Sequence, residues 1–468
     1  METRTPTDRP HIILVNADDL GWGDLACFGS RLHDTPHLDR MAAEGTVFTS
    51  FYQGSPVCSP SRAAMLTGCY PRRIGCDRFF RGEGREPGWV LFPGDPSGLS
   101  PSEVTIARLL RSAGYATRII GKWHCGDQPE FFPTRHGFDG YFGLPYSNDM
   151  GRQVHREFCP PLPLMRDEDV VEEQPDQSSL TERYVEDAVT FLREHRHRPF
   201  FLYLAHMYVH LPLYVPEVFA RTSRSGAYGA AVACIDWAMG VIRHEICRLG
   251  LASSTLILFT SDNGSRCDYG PSNGPLRGRK GTTWEGGMRV PFIACWPGAV
   301  PAGRVIDGLA SGMDLLPTLC RIAGVPVPDD RIIDGVDISD LLFGTRTCSP
   351  RQTMLYYMGD YLDAVRDSRW KLRVGRSEWK GQESGLCELY DLQEDPGETV
   401  NVAHRHPDEV RRLMREIERG RRDLGDSHVK APGDNRRPAG LVSDARTLTV
   451  YDADTPYLVP MYDLDQVG

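Results

Sequence analysis

Short runs of unbroken apolar residues alternate with amphipathic stretches through the first three quarters of the chain. An apolar run over 12–16 gives way to acids, and residues 38–44 read as a helix stopped by Gly45. The pattern predicts a helix over 102–112, with Ser100 or Ser102 as N-cap and Gly114 as its stop, then a strand over 116–120. Over 180–195, Val185, Ala188, Val189 and Leu192 share one helical face. Pro199 ends that segment, and 200–205 is the next strand. A long helix is expected over 230–249, closed by Gly250. Residues 255–260 and 291–296 read as buried strands, and 313–323 as a further helix. This alternation predicts an α/β fold, a large and mostly parallel sheet with helices on both faces.

Two polar stretches interrupt the rhythm. Residues 75–100 are rich in Gly, Pro and Arg, and 152–179 carry a Pro-Leu-Pro-Leu segment and acidic clusters. Both read as long surface loops, which in a compact enzyme usually carry function. Near Asp340 the pattern changes to short strands in succession, over 353–357, 364–366, 370–374 and 387–390, followed by a charged helix over 407–423. The expected organisation is a large α/β domain over 1–340, a smaller α+β domain with an antiparallel sheet over 341–426, and a tail over 427–468 that the pattern does not assign.

Composition acts mainly by exclusion. Of 468 residues, 40% are hydrophobic and 25% charged, which rules out wholesale disorder. The net charge of −10 argues against a nucleic-acid partner. No apolar segment is long enough to span a bilayer, so no membrane partner is expected. The opening Met-Glu-Thr-Arg-Thr-Pro lacks the apolar core of a signal peptide. The chain as written is therefore expected to be cytoplasmic, or secreted or periplasmic if a leader has been removed. The 13 cysteines form no CxxC pair and read mostly as buried thiols. Only five of 53 cations are lysines (Lys122, Lys280, Lys371, Lys380, Lys430), so a position that keeps Lys is notable in a chain that prefers Arg.

The chemistry gathers where strands end. The first strand runs into Asp18 and Asp19, the strand over 116–120 into Gly121-Lys122-Trp123-His124, that over 200–205 into His206 and His210, and that over 255–260 into Ser261-Asp262-Asn263-Gly264. In open parallel sheets, ligands bind beyond these carboxyl ends. Three carboxylates and one amide oxygen suit Ca²⁺ or Mg²⁺ rather than zinc.

The segment Cys58-Ser-Pro-Ser-Arg62-Ala-Ala-Met-Leu66-Thr67-Gly68 matches the pattern C-x-P-S-R-x-x-x-L-T-G at every fixed position. Here the chain resembles the sulfatase family, within the alkaline-phosphatase-like superfamily. Gly121-Lys122-Trp123-His124, Pro145-Tyr-Ser147, His210-Leu-Pro, Ser261-Asp262-Asn263-Gly264 and Gly281-Thr-Thr-Trp-Glu-Gly-Gly also match. So do the later Trp370-Lys371-Leu and Leu389-Tyr-Asp-Leu segments. Leu144-Pro-Tyr-Ser-Asn-Asp149 is most similar to the arylsulfatase A and N-acetylgalactosamine sulfatase branch.

The resemblance implies hydrolysis of a sulfate monoester, an aryl sulfate or a sulfated sugar. It implies that a separate maturation enzyme converts Cys58 to formylglycine (3-oxoalanine). One hydroxyl of the hydrated aldehyde would attack sulfur and the other would later expel sulfate. Asp18, Asp19, Asp262 and Asn263, with the oxygen at position 58, would hold the cation. Arg62 would hold the diol and a neighbouring acid, and Lys122 and Lys280 the sulfate oxygens. His124 would be the base for collapse of the hemiacetal, His210 with Lys280 the acid at the leaving oxygen, and Ser147 would orient the sulfate or the diol. His206 matches no ligand and is expected to be structural. Arg279 stands where relatives often carry a small residue, and faces either the pocket or solvent. A phosphodiester or phosphonate monoester hydrolase of the same superfamily is the alternative, with a non-catalytic binding protein behind it.

Overall fold

The computed structural model describes residues 9–378, 381–458 and 462–466. The opening segment up to residue 8 and Lys380 lie outside the described residues. The main sheet has 11 strands. At its centre His11–Ala17 runs parallel to Phe200–Ala205 on one side and Thr255–Ser261 on the other. All three are buried along their whole length. Such strands need apolar residues on both faces, which is why they read as unbroken runs rather than alternations. Each fully buried Leu, Ile or Phe here contributes about 1.5–3 kcal/mol.

Ala116–Gly121 and Gly140–Gly143 continue the parallel order beyond Phe200–Ala205. Beyond Thr255–Ser261 the direction reverses once, because Arg289–Cys295 is antiparallel to both of its neighbours. The helices Leu180–His195 and Pro407–Asp423 occupy the spans their spacing predicts.

Two expectations need correction. The third α-helix begins at Ile106, with Thr105 as its cap accepting the Arg108 N–H at 3.1 Å. Ser100 instead accepts the Glu103 N–H in a preceding turn, so neither Ser100 nor Ser102 caps the helix. The stretch over 152–179 is not all loop: Pro163–Arg166 and Asp169–Glu173 form an antiparallel hairpin at the sheet edge. Its charged outward residues hide the strand pattern and also protect an exposed edge.

The later strands form a four-stranded antiparallel meander, Met354–Met358, Tyr361–Arg366, Trp370–Glu378 and Gly381–Asp391, backed by Pro407–Asp423. The tail returns over the main body. Gly440–Leu441 pairs with Ser97–Gly98, Arg437 binds Glu103 at 2.7 Å, and Tyr462 is buried against Tyr214. No helix among the described residues is long and apolar enough to cross a membrane.

Candidate active site

The central pairing of the sheet builds the acidic centre. Ala17 sits opposite Ser261 in the parallel register, so the next residues of both strands, Asp18-Asp19 and Asp262-Asn263, emerge side by side. Asp19 adopts a left-handed φ of 61°, a conformation that is sparsely populated and clusters at functional sites. Its N–H donates to Asp262 Oδ1 at 3.1 Å, and Asn263 Nδ2 donates to Asp19 Oδ1 at 2.7 Å. Gly264 must lack a side chain, since a Cβ there would stand 1.8 Å from the Gly286 carbonyl oxygen.

Asp18 Oδ1 and Asn263 Oδ1 are buried with no hydrogen-bond partner among the described residues. Each such orphan costs about 1–3 kcal/mol. One ligand atom from each of Asp18, Asp19 and His210 lies within 4.8 Å of the others. Burial opposes ionisation at Asp18 and Asp262 alike. At Asp18 the cations Lys122 and Arg62 overcome it and hold the carboxyl low, whereas at Asp262 the Asp18 charge adds to it and the carboxyl is pushed up. Clustered hard oxygens, two of them unsatisfied, fit a divalent cation.

Cys58 opens the helix Cys58–Thr67, every residue of which is buried. Arg62, one turn later, turns its guanidinium onto the acids. Nε and Nη2 lie 2.9 and 2.8 Å from Asp262 Oδ2, Nη2 lies 3.4 Å from Asp18, and Nη1 donates to the Lys122 carbonyl at 3.0 Å. The helix is further tied by Ser61 Oγ, which donates to the Asp262 carbonyl. Burial pushes the Cys58 thiol up, against Lys122 and Lys280. The unmodified side chain is therefore not held as a thiolate, the form in which cysteine is a nucleophile.

Two lysines approach from opposite sides. Lys122 Nζ lies 2.6 Å from Asp18 and donates to Ser147 Oγ at 3.1 Å. Lys280 Nζ lies 2.9 Å from Asp19. His210 stands 3.8 Å from Asp19 and 3.3 Å from Ser147 Oγ. Burial and then Lys280 pull its pKa down, opposed by Asp19. His124 has a left-handed φ of 57° and places Nε2 2.9 Å from the Leu91 carbonyl. That contact requires the proton on Nε2 and leaves Nδ1 as a buried acceptor without a partner among the described residues. Burial and then Lys122 pull His124 well below the usual histidine range, so the ring is neutral.

Five of these groups face one cavity of about 380 Å³. Cys58, His124, Ser147, His210 and Lys280 line it, while Val90, Phe92 and Met150 supply apolar wall. Asp149, Arg156, Arg266 and Arg279 complete it. Arg279 thus faces the pocket. The folded chain brings together every site residue named from the sequence. His206 stands apart from that set: its ring accepts the Tyr208 N–H at 3.0 Å and contacts Thr181 Oγ1 at 3.3 Å. Lys371 is not in the cavity either; it lies buried between Glu285 and Glu398.

Sequence reasoning missed Asp149, Arg156, Arg266 and the apolar wall. Asp149 stands two residues after Ser147, inside a segment already singled out. Arg156 and Phe92 come from stretches with no periodicity to place them.

A sulfatase family profile matches residues 10–325, and one for the C-terminal part of N-sulphoglucosamine sulphohydrolase matches residues 279–423. The N-acetylgalactosamine-6-sulfatase of Canis lupus familiaris is 40% identical over 420 residues, covering 86% of this chain and 77% of its own. Arylsulfatase A of Homo sapiens is 39% identical over 435 residues, covering 84% and 83%. Among solved structures, Ps i-CgsB in complex with a neocarrahexaose superposes with a TM-score of 0.75 at 29% identity, covering 88% of this chain and 92% of that one. With these matches and the assembled site, the chain belongs to the sulfatase family, the sulfuric ester hydrolases.

Proposed function

We propose that the protein hydrolyses the sulfate monoester of a saccharide, with Cys58 in its formylglycine form as the nucleophilic residue. The observation that carries this reading is the cavity. It joins Cys58 at a helix start to Lys280, His210, His124 and Ser147, and Lys280 and His210 connect it to Asp19 of the buried acids.

The sulfate would sit between two ammonium groups, Lys122 and Lys280, with Ser147 shared between Lys122 and His210. Two cations from different elements fix both the position and the orientation of the anion, which is most of what a displacement at sulfur requires. Arg62 holds Asp262 in place and neutralises it. Asp18, Asp19, Asp262 and Asn263, with residue 58, would hold Ca²⁺ or Mg²⁺, which when bound polarises an S–O bond and acidifies a neighbouring hydroxyl. Formylglycine at position 58 would supply two geminal hydroxyls, the chemistry a thiol lacks, and its presence requires a maturation enzyme as partner. His124 Nδ1, neutral and without a hydrogen-bond partner among the described residues, would take a proton from residue 58. His210, beside Lys280, delivers a proton to the leaving oxygen as its bond to sulfur breaks. Overall, water supplies the oxygen gained by sulfur and the alcohol leaves protonated. A division into a catalytic unit over 1–340 and a smaller unit over 341–426 belongs to the same reading, with the tail beyond 427 as its brace.

The test pairs intact mass with sulfate release. Coexpression with the maturation enzyme is expected to lower the mass by about 18 Da and to yield protein that frees sulfate from sulfated sugars. Modified protein that cleaves phosphate diesters to monoester and alcohol faster than it frees sulfate from sulfate esters would overturn the reading.

A further inference from the structure

Ester cleavage as derived above has no use for Asp149, yet this acidic residue lines a cavity that Arg156, Arg266, Arg279 and Lys280 also line. It is not there by loose packing. It belongs to the helical turn Asn148–Met150 and is buried. Its Oδ2 accepts from Arg156 at 2.7 Å, and its carbonyl accepts from Arg156 at 3.0 Å and from Gln153 Nε2 at 2.8 Å. The other carboxylate oxygen, Oδ1, is buried and has no partner among the described residues. A negative charge at this place weakens binding of the sulfate beside it, and an unpaired buried oxygen is costly by itself. Both penalties are offset when the ligand brings a donor.

From this geometry we infer that Asp149 Oδ1 accepts a hydrogen bond from a free hydroxyl of the leaving alcohol. The site is therefore built for a sulfated saccharide and discriminates against aryl sulfates. The inference deepens the sulfatase reading and rests on it. Arg156 fixes the carboxylate by occupying Oδ2, which leaves one oxygen to read one hydroxyl. Val90, Phe92 and Met150 give the same cavity an apolar surface suited to the C–H face of a sugar ring, whereas the ring of an aryl sulfate would present only C–H groups to the carboxylate. A site that hydrogen-bonds a substrate hydroxyl rejects the analogue lacking it far more strongly than an apolar pocket rejects a missing methylene.

The experiment measures kcat/KM of the formylglycine-bearing enzyme on monosulfated hexoses and hexosamines, on their singly deoxygenated derivatives, and on p-nitrophenyl sulfate. For the best sugar, removal of one particular hydroxyl is expected to cost about 10–100-fold, the range of a hydrogen bond to a charged group. In Asp149→Ala the same removal should cost less than threefold, and the ratio of sugar to aryl turnover should fall by the same 10–100-fold. Asp149→Asn, equal in shape and still an acceptor, should keep part of the preference. The deoxy series on the unaltered enzyme reads the same hydroxyl should Asp149→Ala fold poorly. The inference is overturned if no single hydroxyl matters by more than threefold, or if the loss persists in Asp149→Ala. If protein with a verified modification frees sulfate from none of these esters, the sulfatase reading itself fails and this inference falls with it.

Discussion

The Lys371 ammonium lies 3.1 Å from the Glu285 carboxylate, and neither side chain has any solvent exposure. Glu285 lies in the segment that follows Lys280, while Lys371 belongs to the antiparallel meander. Glu398 approaches the same ammonium at 2.9 Å, and Tyr356 donates to Glu285 at 2.8 Å. This buried cluster joins the small sheet to the loop that carries the Lys280 side of the cavity. The lysine of the Trp370-Lys371-Leu motif is thus a lock between elements.

Removing the cation while leaving its partners should be costly. Lys371→Met leaves two buried carboxylates facing each other and is expected to destabilise the protein by about 3–5 kcal/mol. Urea unfolding of wild type and variant measures it, and a loss below about 1 kcal/mol would place the pair among surface-like contacts.

The same cluster sets an acid limit. Burial opposes ionisation of Glu285, but Lys371, Arg366 and Arg289 outweigh it and hold the pKa at about 2, below the ordinary 4.5. Glu398, which shares the ammonium, is pushed up by burial and by Glu285. A depressed carboxyl contributes stability that is complete above its unfolded value and is lost as pH falls through its folded one. Glu285 therefore contributes a decline in stability between about pH 4.5 and about pH 2. Glu285→Gln should flatten that part of the unfolding free-energy profile, and an unchanged profile would remove Glu285 as its source.

Cys58 is expected to be indispensable for turnover and dispensable for the fold. Cys58→Ala removes one sulfur atom from a helix start, next to a cavity that tolerates the space. Sulfate release should fall to background with the melting temperature within a few degrees of wild type, since a change of about 1 kcal/mol shifts a protein of this size only slightly. Retained turnover would refute the assignment of the nucleophile.

Cation removal should be visible without any substrate. A cation that binds only the folded protein stabilises it by about 2.7 kcal/mol at a hundred times its dissociation constant. Addition of Ca²⁺ to chelated protein is expected to raise the melting temperature, and Asn263→Ala or Asp18→Asn should abolish the shift. A shift that survives both substitutions would put the cation elsewhere.

The tail is expected to support both the core on one face of the sheet and the segment after His210 that it packs against. Tyr462 is buried against Tyr214, and its hydroxyl donates to the Pro175 carbonyl at 2.7 Å. Tyr462→Ala should destabilise by about 3–5 kcal/mol, the range for removing a buried aromatic ring, and raise KM for a saccharide more than it lowers kcat. Equal effects on both parameters would assign the tail a purely global role.

By itself the sequence determined the alternation of strand and helix, because buried parallel strands must be apolar on both faces and amphipathic helices must show one stripe. It also singled out the candidate side chains: Asp18, Asp19, Lys122, His124, His210, Asp262 and Asn263 follow strands in short motifs, Cys58 and Arg62 share one helix, and Ser147 and Lys280 lie in loop motifs. Tertiary structure decided the rest. Only the register of Ala17 against Ser261 makes two acidic pairs one centre. The Asp169–Glu173 edge strand alternates half-buried and exposed side chains, most of them charged, and leaves no apolar run to detect. Lys371 and Lys280 look alike as letters, and their different roles come from whether carboxylates close around the ammonium or a cavity opens beside it. Asp149 is legible only in the folded chain, where one of its two oxygens is buried without a partner among the described residues, since no local pattern encodes which hydrogen bonds are left for a ligand to complete.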